Sequence, residues 1–162
     1  MRKVKAIIAL DEYNGMSKDG KIPWKVKEDF AYFRKYTLGK TCVMGRNTYE
    51  DMLTYCKNKD DPLPGRKIIV VTSKSLQNVR CIKNLHELES LFLDEELVLC
   101  GGKRIYEEGR NIFFVEEFSV TEIQGNYECD VFFNPHTYEM AFATQFKLCD
   151  HLPHVVSIYY HL

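Results

Sequence analysis

The chain has 162 residues, of which 45% are hydrophobic and 28% are charged, an ordinary composition for one globular domain. Its formal net charge is −1, and its lysines and arginines are scattered, which argues against a partner that is nucleic acid or an acidic membrane. No apolar run approaches the ~20 residues that cross a bilayer.

The six cysteines contain no CxxC pair and no spacing with histidine that is typical of a metal site. The N-terminal sequence MRKVKAIIAL is charged and then strand-like, unlike a secretory signal peptide. Free thiols in the reducing cytoplasm are therefore expected, and no metal is expected.

Short apolar runs alternate with helical patterns along the chain. Several runs, such as IIVV and LVLC, are continuously apolar, which is typical of strands covered on both faces. The alternation predicts a single α/β domain over residues 1–162, with a mixed, mostly parallel eight-stranded sheet, about four helices and an antiparallel pair at the C-terminal end. The predicted strands are Val4–Leu10, Thr41–Met44, Lys67–Ser73, Val79–Ile82, Glu96–Cys100, Phe114–Ile123, Ala141–Cys149 and Val155–His161. The predicted helices are Val26–Thr37, Asn47–Cys56, Leu85–Leu93 and Arg104–Glu108.

The first predicted helix carries a carboxylate on its apolar side. Val26, Phe30 and Phe33 are spaced as one stripe that faces the core, and Asp29 falls on the same stripe. Burial would raise the pKa of Asp29, which suits proton delivery or the binding of a protonated heterocycle. The alternative is an acid in the first helical turn that interacts with the helix dipole.

Three turns follow apolar strands and carry small, polar or basic residues. Gly45 precedes a predicted helix, Gly101–Gly102 precede another, and a third strand runs into Thr72, Ser73 and Lys74. Helix N-termini hold phosphates, and ligands of open α/β sheets bind at the carboxyl ends of strands. These turns favour a dinucleotide, although the GxGxxG pattern of Rossmann dehydrogenases is absent.

Taken together, these segments resemble the dihydrofolate reductase family. The segment IIALDEYNGMSKDGKIPWKVKEDFAYF is similar to that family's first strand, mobile loop, Pro-Trp pair and first helix. CVMGRNTYEDM, PLPGRKIIVVTS, LVLCGGKRIYEE, FSVTEI and ECDVFF follow in the family's order, so the resemblance covers nearly the whole chain. It implies the family's fold and an NADPH-dependent reduction of dihydrofolate to tetrahydrofolate, which serves one-carbon metabolism and is an antifolate target.

The resemblance implies a role for each substrate-site residue. Asp29 would bind the pterin and assist protonation at N5, Trp24 would order a water near the proton path, and Thr121 would hydrogen-bond the acid. Arg66 would pair with the glutamate α-carboxylate, a task suited to its planar guanidinium. The implied substrate-binding residues are Ile7, Asp29, Phe30, Phe33, Met52, Leu63, Arg66, Cys100 and Thr121.

The resemblance also implies that the cofactor is NADPH, which transfers a hydride to pterin C6. The partner would be the small-molecule substrate alone, with no nucleic acid and no membrane, and the chain would be a monomer. The implied cofactor-binding residues are Ala9, Asn14, Gly15, Gly20, Ile22, Gly45, Arg46, Asn47, Thr48, Thr72, Ser73, Lys74, Gly101, Gly102, Lys103, Arg104, Ile105 and Tyr106.

The chain departs from the family's pattern at several positions. Ser17 stands where the mobile loop usually has glycine, and a positive φ there would strain a serine. Cys100 replaces a branched aliphatic residue, Val131 a threonine and Asn134 a proline. The connection Leu53–Asp61 is longer than in short bacterial members of the family. It would either contact the glutamate tail of the substrate or be solvated filler without a role.

Three alternatives remain at this point. A riboflavin-pathway reductase shares the fold and NADPH, but its substrate does not need the pair of Asp29 and Arg66. A folate- or nucleotide-binding protein without useful turnover is suggested by Ser17. A purely structural α/β domain would leave the order of the motifs unexplained.

Overall fold

The structure is a computed structural model that describes residues 2–91, 95–138, 141–147 and 154–160, the side chains of 141–147 excepted. Ten strands and four helices lie within these residues. The strands are β1 (Lys3–Asp11), β2 (Gly15–Ser17), β3 (Thr41–Gly45), β4 (Lys67–Val71), β5 (Arg80–Ile82), β6 (Leu97–Leu99), β7 (Phe114–Ile123), β8 (Val131–Phe132), β9 (Ala141–Lys147) and β10 (Val155–Tyr160). The helices are α1 (Lys27–Thr37), α2 (Arg46–Tyr55), α3 (Glu87–Ser90) and α4 (Lys103–Ile112), with a 3-10 turn at Pro135–Tyr138.

The main sheet has eight strands in the order β5-β4-β3-β6-β1-β7-β10-β9. Every pair from β5 to β7 is parallel, whereas β10 runs antiparallel to both β7 and β9. The predicted mixed, mostly parallel sheet with a C-terminal antiparallel pair is confirmed. A second sheet of β2 and β8 was not predicted, because strands of three and two residues are too short to show a period.

The inner parallel strands β3 and β6 carry no charged residue because both faces of the sheet are covered there. On one face, Val43 of β3 packs in a large cluster with Leu99 of β6. On the other face, Cys42 and Met44 of β3 pack in a smaller cluster with Met52 of α2. The period of two along each strand thus supplies two cores from one continuous apolar run.

The boundaries of the elements differ from the prediction by a few residues. α3 is a single turn, Glu87–Ser90, of the predicted Leu85–Leu93, whose last two residues, 92 and 93, lie outside the described part. Cys149 and His161, predicted as strand ends, also lie outside it. The five described cysteines are free, as expected, and within the described residues no helix is long and apolar enough to cross a membrane.

α4 continues past the predicted end at Glu108 because Gly109 is tolerated inside the helix. A Cβ on Gly109 would lie 2.5 Å from Cδ1 of Leu99, which is fully buried in β6. The glycine therefore permits the close approach of α4 to the sheet, and this approach outweighs its unfavourable helix propensity.

We expect Gly109→Ala to lower the free energy of unfolding by about 1–3 kcal/mol, because the new methyl group overpacks the core against Leu99. Chemical denaturation measures the loss. The exposed Glu107→Ala on the same helix is the control and should change stability by less than about 0.5 kcal/mol. In a Leu99→Ala background the added methyl has room, so an undiminished cost there would contradict the packing explanation.

Candidate active site

Asp29 is the most buried side chain in the first part of α1. Only Asp29 and Thr37 are buried in this helix, and the carboxylate is 8% exposed. The predicted apolar stripe is therefore wrong in part, because Phe30 and Phe33 are half-buried instead of lying in the core. Both residues are therefore partly accessible at the surface of the helix and are not sealed in the core.

The environment of Asp29 favours its neutral form. Burial raises the pKa of Asp29 from 3.8 to about 6, and the nearby indole of Trp24 opposes this shift only weakly. The indole N–H of Trp24 is buried near this carboxyl, yet it makes no hydrogen bond of normal geometry within the described residues. Trp24 is fixed by an edge contact with Tyr127, with ring centroids 5.4 Å apart.

The predicted apolar wall of the substrate site is brought together in part. Phe33 and Cys100 pack on the buried cluster that contains Met52 and Leu63. Phe30 lies beside it against Tyr55, with ring centroids 5.4 Å apart. These residues come from α1, α2, the loop before β4 and the end of β6, and only the tertiary fold joins them.

Thr121 and Ile7 lie on the two neighbouring strands below the acid. Thr121 is buried in β7 opposite Ala9 of β1, and a hydrogen bond to Asp29 is not among those of the described residues. The carbonyl of Ile7 accepts a hydrogen bond from the hydroxyl of Tyr106 at 2.5 Å. The roles assigned to Thr121 and Ile7 stay predictions.

Arg66 is held in place by its own hydrogen bonds. Its Nε donates to Oγ1 of Thr37 at 3.2 Å, and its two terminal nitrogens donate to the carbonyls of Pro64 and Arg34. Among the described residues it has no carboxylate partner. A fixed guanidinium without a counter-ion at the end of α1 is suited to bind the carboxylate of a ligand.

The longer connection after α2 lies on the other side of Arg66. Asp60 accepts a hydrogen bond from Nδ2 of Asn78 at 3.3 Å. Asp60 and Arg66 line a cleft of about 280 Å³ that also includes Tyr49 but not Asp29. The cleft is therefore separate from the acid.

Two strand-to-helix turns meet at the carboxyl ends of β3 and β6. The N–H of Gly45 donates to the carbonyl of Gly101 at 2.8 Å. A Cβ added to Gly101 would lie 3.4 Å from Oγ1 of Thr48 and 3.4 Å from the hydroxyl of Tyr106. A Cβ added to Gly102 would lie 3.8 Å from Oγ1 of Thr48. Of the predicted cofactor residues, Gly45, Thr48, Gly101, Gly102, Ile105 and Tyr106 are thus in one place.

This place has the features of a site for a pyrophosphate. α2 begins after Gly45 and α4 after Gly102, and neither helix has a side-chain cap or an acid in its first turn. α1, by contrast, has Glu28 and Asp29 in its first turn. Two adjacent helix N-termini with unused N–H groups favour a doubly charged ligand, so the residues fit the pyrophosphate of NADPH.

The cationic side chains at these two helix starts form ion pairs with glutamates one turn further along the same helix. Arg46 contacts Glu50 at 3.7 Å, and Arg104 donates to Glu108 at 2.6 Å. Lys103 contacts Glu107 at 3.9 Å. These are exposed or half-exposed pairs of little stability, so exchanging the carboxylate for a phosphate costs little.

The remaining predicted cofactor residues lie on separate segments. Thr72 and Lys74 are joined by a hydrogen bond from the N–H of Lys74 to Oγ1 of Thr72 at 3.1 Å, in the turn after β4. The N–H of Ile22 donates to Asp51 of α2 at 3.3 Å. The roles of all the predicted cofactor residues stay predictions, and no close grouping in the structure supports those of Ala9, Asn14, Gly15, Gly20, Ile22, Asn47, Thr72, Ser73 and Lys74.

Asp11 organises the loop before α1 and was missed in the sequence. Its Oδ1 accepts from the N–H groups of Tyr13 and Gly15 at 2.8 and 2.9 Å, and its Oδ2 accepts from Tyr127 at 3.1 Å. Burial raises the pKa of Asp11, but these donors and the thiol of Cys129 outweigh it and leave the pKa below its usual value. The only signal was an acid ending a strand just before Asn-Gly.

Ser17 is not strained. It lies in the extended strand β2, and its carbonyl accepts from the N–H of Asp130 at 3.0 Å. The described non-glycine residues with positive φ are elsewhere, Asp19 (φ 51°) among them, and Gly20 follows with φ 75°. The expectation that serine might strain this loop is therefore wrong, because the unusual backbone falls two and three residues later.

A mostly parallel sheet with two helix N-termini at its strand ends and a buried acid on its first helix defines a class: α/β proteins that bind a dinucleotide next to a second ligand. The family model for dihydrofolate reductase matches residues 3–159. The dihydrofolate reductase of Staphylococcus aureus (strain Mu50) is 31% identical over 134 residues, 82% of this chain and 79% of that protein. The bifunctional dihydrofolate reductase-thymidylate synthase of Paramecium tetraurelia is 31% identical over 136 residues, 82% of this chain and 28% of that protein.

Structural similarity agrees with the sequence comparison. The dihydrofolate reductase of Enterococcus faecalis complexed with NADP(H) and RAB-propyl has a TM-score of 0.82 and 26% identity, over 98% of this chain and 95% of that chain. The chain belongs to the dihydrofolate reductase family.

Asp29→Asn should stabilise the protein in a pH-dependent way. The folded-state pKa of about 6 lies above the usual 3.8, so the cost of burying the charge is absent below about pH 4 and grows as the pH rises through 6. The difference in unfolding free energy between variant and wild type should therefore increase by roughly 3 kcal/mol from pH 4 to pH 8. Urea denaturation at both pH values measures it. Leu88→Ala, which removes no titratable group, serves as the control for a pH-independent change, and an equal difference at both pH values would contradict the raised pKa.

Ser17→Gly should not increase turnover, because Ser17 has an ordinary extended backbone. We expect a loss of roughly 0.5–1 kcal/mol in unfolding free energy, from the entropy of glycine in a strand. Gly20→Ala is the contrasting variant, since its positive φ should cost an L-residue roughly 1–2 kcal/mol. Steady-state rates and thermal unfolding of both proteins check this, and a clear gain in turnover for Ser17→Gly would contradict it.

Proposed function

We propose that this chain catalyses the NADPH-dependent reduction of 7,8-dihydrofolate to 5,6,7,8-tetrahydrofolate. The observation that carries the proposal is the buried carboxyl of Asp29, 8% exposed, on a helix that also carries the half-buried aromatic residues Phe30 and Phe33. When bound, NADPH supplies the hydride that is transferred to C6 of the pterin. The chain's own residues bind and orient the two ligands, exclude water and control the proton for N5.

Asp29 is suited to this proton control. With a pKa of about 6, roughly a tenth of the carboxyl is neutral at pH 7, far more than at the usual pKa of 3.8, and burial keeps bulk water away from it. Either form can pair with the amino and ring N–H groups of a pterin. The unsatisfied indole N–H of Trp24 supports a role for this residue in holding a water close to the acid.

Arg66 supports the choice of a folate over a smaller pterin. Its guanidinium is fixed by Thr37, Pro64 and Arg34 and lacks an acidic partner among the described residues. The rival riboflavin-pathway substrate carries a phosphate on a ribose chain and needs neither Asp29 nor Arg66. The presence of both residues therefore favours folate.

The rival hypothesis of a binding protein without turnover loses its main support. It depended on strain at Ser17, and Ser17 lies in an ordinary extended strand. Further parts of the proposal are that residues 1–162 act as one domain, as a cytoplasmic monomer with no nucleic-acid partner.

The proposal is tested with purified protein, NADPH and dihydrofolate, by following the loss of NADPH absorbance. We expect steady turnover, and a fall of about 100-fold or more near neutral pH in Asp29→Asn, because the amide cannot take part in proton control. A substrate protonated at low pH should restore part of that rate. Binding of both ligands without turnover in the wild type would favour the binding-protein hypothesis instead.

Arg66→Lys keeps the positive charge but loses the planar guanidinium. We expect KM for dihydrofolate to rise about 10-fold with little change in kcat, because the lost contact is made equally in the ground state and in the transition state. A dihydropterin without the aminobenzoyl-glutamate group is the control, and its kcat/KM should not respond to the substitution. Equal effects on both substrates would show that Arg66 acts on the fold instead of on the glutamate.

A further inference from the structure

The helix that carries Asp29 is attached to β7 by hydroxyl groups. The hydroxyls of Tyr32 and Ser119 are 2.6 Å apart, within a hydrogen bond. The hydroxyl of Tyr36 donates a short hydrogen bond to Oε2 of Glu117. Burial raises the pKa of Tyr32 and of Tyr36, so both phenols stay neutral and keep their protons as donors.

The spacing of these residues matches the two elements. Asp29, Tyr32 and Tyr36 are separated by three and four residues and lie on one side of α1. Glu117 and Ser119 are two residues apart and share one face of β7 with Thr121, which follows Ser119 by two. From Tyr32 to Tyr36 the helix advances about 6 Å, and from Ser119 to Glu117 the strand covers roughly 6.6 Å.

The two sets run in opposite directions along the chain. Tyr32 contacts Ser119, and Tyr36, further along α1, contacts the earlier residue Glu117. Continuing the series the other way places Asp29 level with Thr121, the next residue on that face of β7. The two observed contacts therefore define a register between helix and strand, and the acid occupies its next step.

We propose that Tyr32 with Ser119 and Tyr36 with Glu117 are positioning pairs that hold α1 in register on β7 and thereby set the depth and orientation of Asp29. This inference rests on the proposed role of Asp29 as the acid. None of the four side chains needs to touch a ligand. Phenylalanine would fill most of the space of either tyrosine, so the hydroxyls serve the register and not the packing.

Several charged groups surround the outer pair and belong to the same environment. Lys5 of β1 and Tyr160 of β10 are the register partners of Glu117 on the two sides of β7. Lys5 also contacts Glu96 at 3.0 Å. Lys40 lies 5.5 Å from the centroid of the Tyr36 ring and donates to the carbonyl of Tyr36 at 2.8 Å. Toward the acid, Asp29 itself acts on the Tyr32 phenol.

Loosening the register should let water reach Asp29. Its pKa then moves from about 6 toward the usual 3.8, because the raised value results from burial. The rate falls at high pH because the acid loses its proton. In Tyr36→Phe the midpoint of this falling limb should lie about 0.5 pH unit lower than in the wild type. Single-turnover hydride transfer with saturating NADPH and dihydrofolate measures this limb. KM for NADPH should stay unchanged.

The conservative partner change separates the hydrogen bond from simple packing. Glu117→Gln keeps an acceptor oxygen for Tyr36 and should retain the wild-type limb, whereas Glu117→Leu should shift it as Tyr36→Phe does. Adding Tyr36→Phe to Glu117→Leu should give no further shift. Leu88→Ala, at the buried residue of α3, is the control that lowers the melting temperature without moving the limb.

A readout without turnover keeps this inference distinct from the proposed function. The effect of Asp29→Asn on the pH dependence of stability, measured in the wild-type and Tyr36→Phe backgrounds, reports the pKa of Asp29 directly. A smaller pH-dependent effect in the Tyr36→Phe background is expected even if dihydrofolate is not reduced. If Tyr36→Phe lowers the melting temperature but moves neither the rate limb nor this effect, the pairs are only structural and the inference is overturned.

Discussion

The burial of one carboxylate is the constraint on which the rest of the site depends. Asp29 is 8% exposed, and its pKa is raised to about 6 because a charge is costly in that environment. The fold accepts this cost within a core that is otherwise well packed. A surface carboxylate at the same point would be ionised at neutral pH and could not hold a proton for a substrate.

The sheet separates the two kinds of chemistry that the family needs. At the carboxyl ends of β3 and β6, uncapped helix starts and glycine turns lie together without any acid in the first turn of either helix, which are features that suit a phosphate. On the neighbouring strands β1 and β7, buried residues face the acid-bearing helix. β6 lies between β3 and β1 in the sheet, so the strands that precede these two helix starts are close neighbours of β7, on which the acid-bearing helix rests.

The loop between β1 and α1 is ordered by polar contacts more than by packing. Asp11 holds the N–H groups of Tyr13, Gly15 and Tyr127, while Asp130 accepts from the N–H of Asp19 at 2.9 Å. The small sheet of β2 and β8 joins the same two segments. These bonds tie the loop to the segment that contains Tyr127 and Asp130.

The sequence by itself determined the alternation of strands and helices, the parallel sheet and the exceptional position of Asp29. Apolar periodicity is a local property of the chain, and a carboxylate that interrupts it is visible without a structure. Resemblance to the family added the names of the ligands and candidate residues such as Arg66 and Thr121.

Only the tertiary structure decided how deep the acid lies and what holds it. Phe30 and Phe33 proved half-buried although their spacing indicated a core stripe, because α1 turns its hydroxyl-bearing side toward β7. Tyr32 and Tyr36 gave no functional signal in sequence, since a tyrosine is equally compatible with packing and with the surface. Their partners Ser119 and Glu117 are more than 80 residues away, and such pairings depend on which strand lies under which helix, a relation that local patterns do not contain.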